Sequence, residues 1–190
     1  MAGPTLFKTE LVRLARPENE ALSGRCRGDQ ELEDRIEYYG RSIGIVNVAS
    51  FRQHYSAVFI SWCMRTAGAS EAEFPTELSH SKYAQFAVRN ADTAQGLVRA
   101  RRIEIYAPQL GDILHVNRSD GKVTFDRILA GSYISESGVV IDIAPGKAFI
   151  VMGNQEPCGN VGTEELDLAA SGILVQRGRN PLVAVIEVLK

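Results

Sequence analysis

The sequence predicts an α+β fold, with helices in the first half of the chain and an antiparallel sheet in the second half. Before about residue 90, apolar residues recur at helical spacing and are flanked by helix-capping residues. After residue 103, short apolar runs alternate with Pro and Gly turns, which is typical of strands. The length of 190 residues and the 45% hydrophobic content fit one globular domain, which we assign to residues 1–190.

Two amphipathic helices are predicted at the start of the chain. The first covers residues 6–14, where leucines share one face, and Pro17 is expected to end it. The second begins after Asp29, a good N-cap residue, and ends at Gly44. Its apolar positions fall on one face: Leu32, Ile36, Tyr39 and Ile43.

Two further helices follow. A central helix is predicted from about Ser56 to Ala67, and Gly68 ends it. Apolar residues surround this helix on nearly every side, so we expect it to be buried. The next helix begins after Ser79, a capping residue, and carries an apolar face of Tyr83, Phe86 and Ala87.

The predicted strands form an antiparallel sheet. They cover residues 113–116, 139–143, 148–152, 173–176 and 182–189. Pro145-Gly146 lies between two of them and predicts a hairpin turn. Asn160 to Gly162 is typical of a turn or of the wall of a cleft.

Composition argues against several classes of partner. The net charge is −2 and no basic stripe is visible, so no nucleic-acid partner is expected. The sequence has no run of about 18 apolar residues, so no membrane span is predicted. The first residues lack the apolar core of a signal peptide, so we expect a protein that is cytoplasmic as synthesised and that could be exported without a classical signal peptide. Nucleotide-loop and zinc-protease motifs are missing, and no cofactor or metal is expected.

The three cysteines give no recognisable framework. They are odd in number and form no CxxC pair, which argues against a disulfide and a zinc site. We therefore expect three reduced thiols, with Cys63 in the core.

Several segments, in order along the chain, carry a resemblance to known proteins. They are RIEYY at 35–39, SAVFISWCMR at 56–65, SHSKY at 79–83, YAPQLGD at 106–112, SESGVV at 135–140 and MGN at 152–154. With these segments the chain resembles a bacterial family of unassigned function within the NlpC-type cell-wall peptidase superfamily. The resemblance covers residues 11 to 189. It implies a papain-like NlpC-type fold, in which the buried central helix packs on the C-terminal antiparallel sheet.

The resemblance also implies three catalytic positions. In the superfamily a cysteine at the start of the buried helix attacks a carbonyl carbon, a histidine on the first long strand moves the proton, and a polar residue on the next strand orients that histidine. The matching residues here are Ser56, Glu136 and Asn154. A carboxylate with a reference pKa of about 4.3 is a poor base for a hydroxyl, so the change from histidine to Glu136 puts the chemistry in doubt.

Another histidine could supply the base. His80 lies in the SHSKY motif, which places it at a helix start, and either His80 or Glu136 is the candidate base. His54 precedes Ser56 by two residues, and His115 lies on a predicted strand; a structural role is the simpler reading for both. The residues expected to contact substrate are His54, Tyr55, Tyr83 and Ser135.

Three functions follow as expectations. The first is an amidase or peptidase that acts on peptidoglycan peptides or another peptide-like substrate, in the role of a secreted antibacterial effector. The second is a catalytically inactive relative that binds a peptide or a protein partner. The third is an acyltransferase on the same scaffold, because a fold does not fix its chemistry.

Overall fold

The computed structural model describes residues 3–91, 93, 96–118 and 122–190 and confirms the α+β class. Four helices come first: α1 (Leu6–Leu22), α2 (Gln30–Ser42), α3 (Ser56–Thr66) and α4 (His80–Arg89). The strands are β1 (Val98–Arg101), β2 (Ile113–Asn117), β3 (Ser135–Ala144), β4 (Lys147–Gln155), β5 (Asn160–Asp167) and β6 (Leu182–Val188). Short 3₁₀ turns cover residues 48–50, 52–54 and 125–130.

The sheet separates two apolar layers. Its strand order is β1-β6-β2-β3-β4-β5, and all neighbours are antiparallel. Val139 and Val151, which are register partners on β3 and β4, belong to the larger core that the helices cover. Val140 and Ile150, one position along, belong to a smaller core on the other face. Because side chains alternate across a strand, the face of each strand residue follows from its position.

Helix α3 lies at the centre of the larger core. Every residue from Ser56 to Met64 is buried, as the apolar surface of this segment predicts. The helix packs on β3 and β4 and is flanked by α1 and α2. Its first residue therefore meets the sheet near the C-terminal end of β4.

Helix α1 runs further than predicted. Pro17 lies inside it, although a proline removes one helical hydrogen bond at a cost of about 3 kcal/mol. The last turns bury Leu22 and place Glu18 where it accepts hydrogen bonds from the Tyr39 hydroxyl at 2.6 Å and from Arg35 Nε at 2.8 Å. These contacts with α2 offset the cost of the proline.

The strand predictions are partly correct. The hairpin at Pro145-Gly146 is confirmed, and Gly146 has the positive φ of 76° that its turn requires. Strands β1 and β5 were not predicted, the first because it is short and arginine-rich and the second because its Asn and Gly are typical of turns. Residues 173–176 are not a strand, since only Leu174 pairs, with Leu168.

The expectation of three reduced thiols is wrong. Cys26 and Cys158 form a disulfide with a Cα–Cα distance of 4.4 Å. Their separation of 132 residues explains why no local spacing revealed it. The bond joins the loop before α2 to the loop after β4. Cys63 is free and buried, as predicted, and burial raises the pKa of its thiol.

Candidate functional site

Ser56 is the first residue of helix α3. The N–H of Phe59 donates to the carbonyl of Tyr55 at 2.8 Å, so helical bonding begins there. The preceding N–H groups of an α-helix have no acceptor inside the helix. Together with the helix dipole, they favour negative charge close to the Ser56 side chain.

A glycine brings this helix start against β4. A Cβ atom on Gly153 would lie 3.3 Å from the Cα of Ser56, 3.1 Å from the Cβ of Phe59 and 3.0 Å from the Tyr55 ring. Any larger residue would push the helix start away from the strand. The MGN segment therefore has a packing role in positioning Ser56.

His80, the first residue of α4, meets Ser56. Its Nε2 atom lies 2.7 Å from the Ser56 Oγ, which is hydrogen-bond distance. Both side chains are buried, with exposures of 5% and 4%. The two residues are 24 positions apart, and the packing of two helix starts brings them together.

The protonation state of His80 suits a base. Burial lowers the pKa of His80 well below 6.5, and the nearby His115 and Arg118 lower it further. The ring is therefore neutral at neutral pH, with one nitrogen free to accept a proton.

Tyr83 holds the other side of the His80 ring. Its hydroxyl hydrogen-bonds the Nδ1 of His80, one helical turn earlier on the same face. Burial raises the pKa of Tyr83 well above its ordinary value, so the phenol stays neutral. An orienting group on Nδ1 fixes which nitrogen of a histidine carries the proton. Here a tyrosine from the same helix takes that position.

A second serine–histidine pair is formed by residues of the sheet. His115 on β2 faces Ser137 on β3, its register partner, and the Nδ1–Oγ distance is 2.9 Å. The Nε2 of His115 is 2.8 Å from the Tyr133 hydroxyl. Burial lowers the pKa of His115 to about 3, so this ring is also neutral.

Glu136 lies on the other face of the sheet. Strand alternation points it away from Ser137 and into a cavity of about 610 Å³ that Met152 and Thr163 also line. Its carboxylate forms an ion pair with Arg118 at 2.7 Å, at an angle outside that of a hydrogen bond. Burial raises the pKa of Glu136 to about 6, while Arg118 opposes the rise. The structure thus brings His80, and not Glu136, to Ser56.

Asn154 is the residue expected to orient the base. It occupies an irregular position at the end of β4 with a φ of 60°. Its side chain lines a cavity of about 700 Å³, together with the exposed His54, Glu156 and the Cys26–Cys158 disulfide. No hydrogen bond joins it to His80 in the part of the chain that the structure describes, and Tyr83 makes that contact instead.

The other residues expected to contact substrate differ in exposure. His54, two residues before Ser56, borders the cavity of about 700 Å³, whose lining does not include Ser56 or His80. Tyr55 and Tyr83 have no exposed surface, and the Tyr55 hydroxyl donates to the carbonyl of Gly159 at 3.1 Å. Ser135 is buried at 9% exposure, and its hydroxyl has no hydrogen-bond partner among the described residues.

A comparison with protein families assigns the chain. Residues 30–186 match a family of uncharacterized proteins conserved in bacteria, DUF2272. The chain belongs to the DUF2272 family. The match includes Ser56, His80 and the whole sheet up to Ile186 of β6. No curated protein and no solved structure matches this DUF2272 chain.

Three polar residues of this DUF2272 site were missed in the sequence: Ser137, Tyr133 and Arg118. Ser137 stands in the SESGVV segment, between Glu136 and Gly138, and no local pattern there indicates a histidine partner. The spacing of His80 and Tyr83, three residues apart on one helix, is the one local signal that could have predicted the Tyr83 contact.

Within the described residues, no helix is long and apolar enough to cross a membrane.

Proposed function

We propose that this DUF2272 protein is a serine-dependent amidase or peptidase that acts on cell-wall peptides. The observation that carries the proposal is the 2.7 Å contact between Ser56 Oγ at the start of α3 and a neutral His80. A nucleophile, an adjacent base and an orienting third group form the arrangement that activates a serine hydroxyl.

The proposed reaction has two steps. Ser56 Oγ attacks the carbonyl carbon of an amide while its proton moves to His80 Nε2, and the charge on the carbonyl oxygen forms near the N–H groups at the start of α3. The C–N bond then breaks, and the leaving amine takes the proton from His80. Water hydrolyses the Ser56 ester by the same route and restores the hydroxyl.

The substrate class rests on resemblance and on the cavity that His54 and Asn154 line. The order of a buried nucleophile helix and a following sheet resembles NlpC-type cell-wall peptidases, and a papain-like arrangement is part of the proposal. The cavity of about 700 Å³ beside His54 falls within the range of small-molecule and short-peptide sites. Arg27, Glu33 and Arg118 give it both signs of charge, which suits a peptide with free charged groups.

The disulfide supports a place of action outside the reducing cytoplasm. Such bonds persist in oxidising compartments and are rare in cytosolic proteins of mesophiles. Cys26–Cys158 also borders the cavity. A secreted antibacterial effector that reaches the wall of another cell fits these two observations.

The proposal is tested by mass spectrometry of purified peptidoglycan fragments after incubation with the protein. Wild type and Glu136→Gln are expected to give new cleavage products, because Glu136 lies on the other sheet face, while Ser56→Ala gives none. Cleavage by Ser56→Ala would contradict the assignment of the nucleophile. Fragments that bind without being cut would indicate the inactive relative, and transfer of an acyl group to an added amine would indicate an acyltransferase.

A further inference from the structure

The two serine–histidine pairs are linked through Tyr83. The Tyr83 hydroxyl bonds His80 Nδ1, and the Ser137 side chain, which bonds His115, is near enough to Tyr83 to lower its pKa against the larger effect of burial. The Tyr83 and His115 rings lie edge to face with centroids 6.5 Å apart. A row of polar groups thus runs from Ser56 through the core to Tyr133.

Only one arrangement of the donors and acceptors in this row lets His80 act as a base for Ser56. If His80 Nε2 accepts from Ser56, its proton is on Nδ1 and donates to the Tyr83 oxygen. The Tyr83 hydroxyl is then free to donate towards Ser137, whose hydroxyl donates to Nδ1 of His115. That ring must carry its proton on Nε2 and donate it to the Tyr133 oxygen. Each group donates once, and none needs a charge.

The reverse arrangement has a different consequence. If Tyr83 donated to His80 Nδ1, the proton of His80 would lie on Nε2 and would point at Ser56. Ser56 would then lack a base. The direction of the hydrogen bonds at the Tyr133 end of the row therefore decides whether His80 can accept a proton from Ser56.

We propose that Ser137, His115 and Tyr133 form a hydrogen-bond relay that positions Tyr83 and fixes His80 in the tautomer that can accept a proton from Ser56. The three are positioning residues and do not touch substrate. The inference rests on the proposed function for its purpose, although the tautomers themselves can be measured without any substrate. The polar contacts that support it lie in the core: His115 and Ser137 have no exposed surface.

Tyr133 gives the relay an end near the surface. It is half-buried and lines a cavity of about 260 Å³ with Lys122 and Arg127. Burial raises the pKa of Tyr133, so its hydroxyl keeps its proton at neutral pH. The Tyr133 hydroxyl is free to donate a hydrogen bond to a water molecule, which would complete the row without a charged group.

The first arm of the test is NMR of the histidine side-chain nitrogens in the wild-type protein. Neutral His80 with its proton on Nδ1 and neutral His115 with its proton on Nε2 are expected at pH 7. The opposite tautomer at either ring would overturn the relay. This arm needs no variant, so a folding defect cannot obscure it.

The second arm uses Ser137→Ala, with Ser61→Ala as its matched control. Ser61 is also fully buried and loses the same hydroxyl, but it bonds the backbone of Glu77 and not the relay. Ser137→Ala is expected to mix the His80 tautomers and to slow acylation of Ser56 by an activated ester about tenfold. Loss of a residue that orients a metal-binding histidine has an effect of this size. Ser61→Ala should leave both unchanged.

The outcomes separate the relay from the proposed function. Unchanged His80 tautomers in Ser137→Ala, with Ser56 still acylated, would overturn the relay and leave the hydrolase proposal intact. The expected tautomer changes without any acylation of Ser56 in wild type would support the relay and remove the proposed activity. If Ser137→Ala does not fold, His115→Leu replaces it: this variant removes the acceptor of the Ser137 hydroxyl and is expected to mix the His80 tautomers, and unchanged tautomers in it would overturn the relay.

Discussion

Two buried serine–histidine pairs lie within one core, and only one has the surroundings of a nucleophile. Ser56 and His80 are 2.7 Å apart, and Ser137 and His115 are 2.9 Å apart. Ser56 begins a helix and keeps 4% of its surface exposed, whereas Ser137 lies inside the sheet with no exposed surface. A short Ser–His contact is therefore insufficient; the free N–H groups at the start of α3 make the difference.

The largest expected contrast comes from the same substitution at both histidines. His80→Asn removes the proposed base and should slow acylation of Ser56 by an activated ester about 10²- to 10⁴-fold. His115→Asn keeps an acceptor for Ser137 and should cost less than about tenfold. Stopped-flow or steady-state release of the ester's leaving group measures both. Equal losses would show that the two pairs are not distinct.

The disulfide should matter to the Ser56 end more than to the Ser137 end. Cys158 lies in the loop after β4, close to Asn154, while the Ser137 pair is in the middle of the sheet. Reduction is expected to lower the free energy of unfolding by about 2–4 kcal/mol in urea titrations, because it releases a long loop in the unfolded chain. In the folded fraction it should slow labelling of Ser56 while the His115 NMR signals stay in place. A shift of the His115 signals alone would contradict this.

Gly153 tests the close packing at Ser56. Gly153→Ala should cost about 1–3 kcal/mol, since the added Cβ crowds the Tyr55 ring and the start of α3. Gly178→Ala is the matched control, because nothing lies within 4 Å of its added Cβ. Thermal unfolding measures the stability of each variant, and ester hydrolysis measures the reactivity of Ser56. If Gly153→Ala were as stable and reactive as the control, β4 would not position the helix start.

The two neutral histidines predict a stability that depends on pH. The folded pKa of His115, about 3, is below its ordinary 6.5, so the unfolded chain binds the extra proton as the pH falls. Stability should therefore be complete above about pH 6.5 and be lost towards pH 3, at up to about 1.4 kcal/mol per pH unit for this residue. His80 acts in the same direction, and Glu136, with its raised pKa of about 6, opposes them between that pH and its ordinary 4.5.

His115→Asn isolates the contribution of His115. Urea titrations between pH 4 and pH 7 should show a shallower dependence of the free energy of unfolding on pH than in wild type. An identical slope in the two proteins would mean that His115 takes up its proton as readily in the folded as in the unfolded state.

Local features of the fold were predictable, and long-range pairings were not. The helix starts after Asp29 and Ser79 and the helix end before Gly68 were predicted correctly from local residue types, although neither Asp29 nor Ser79 makes a side-chain capping hydrogen bond. The prediction that Pro17 ends the first helix was wrong, because the local cost of the proline is offset by contacts with α2, which lies further along the chain. β5 was missed because Asn160 and its neighbours are typical of turns, while the pairing with β4 overrides that preference.

The same limit applies to the site. Ser56 and His80 could be named from their motifs, but their contact depends on how α3 and α4 pack. Ser137 meets His115 only through the register of β2 and β3, which no local pattern specifies. Glu136 was misplaced because its face depends on the phase of the strand, and a shift of one residue would exchange it with Ser137.

The difference between the two pairs can be measured with a fluorophosphonate probe, which reacts with activated serines, followed by intact and peptide mass spectrometry. Wild type is expected to gain one adduct, mapped to Ser56. Ser137→Ala should gain the same adduct more slowly, and Ser56→Ala should gain none. An adduct on Ser137, or labelling that persists in Ser56→Ala, would contradict the assignment of Ser56 as the nucleophile.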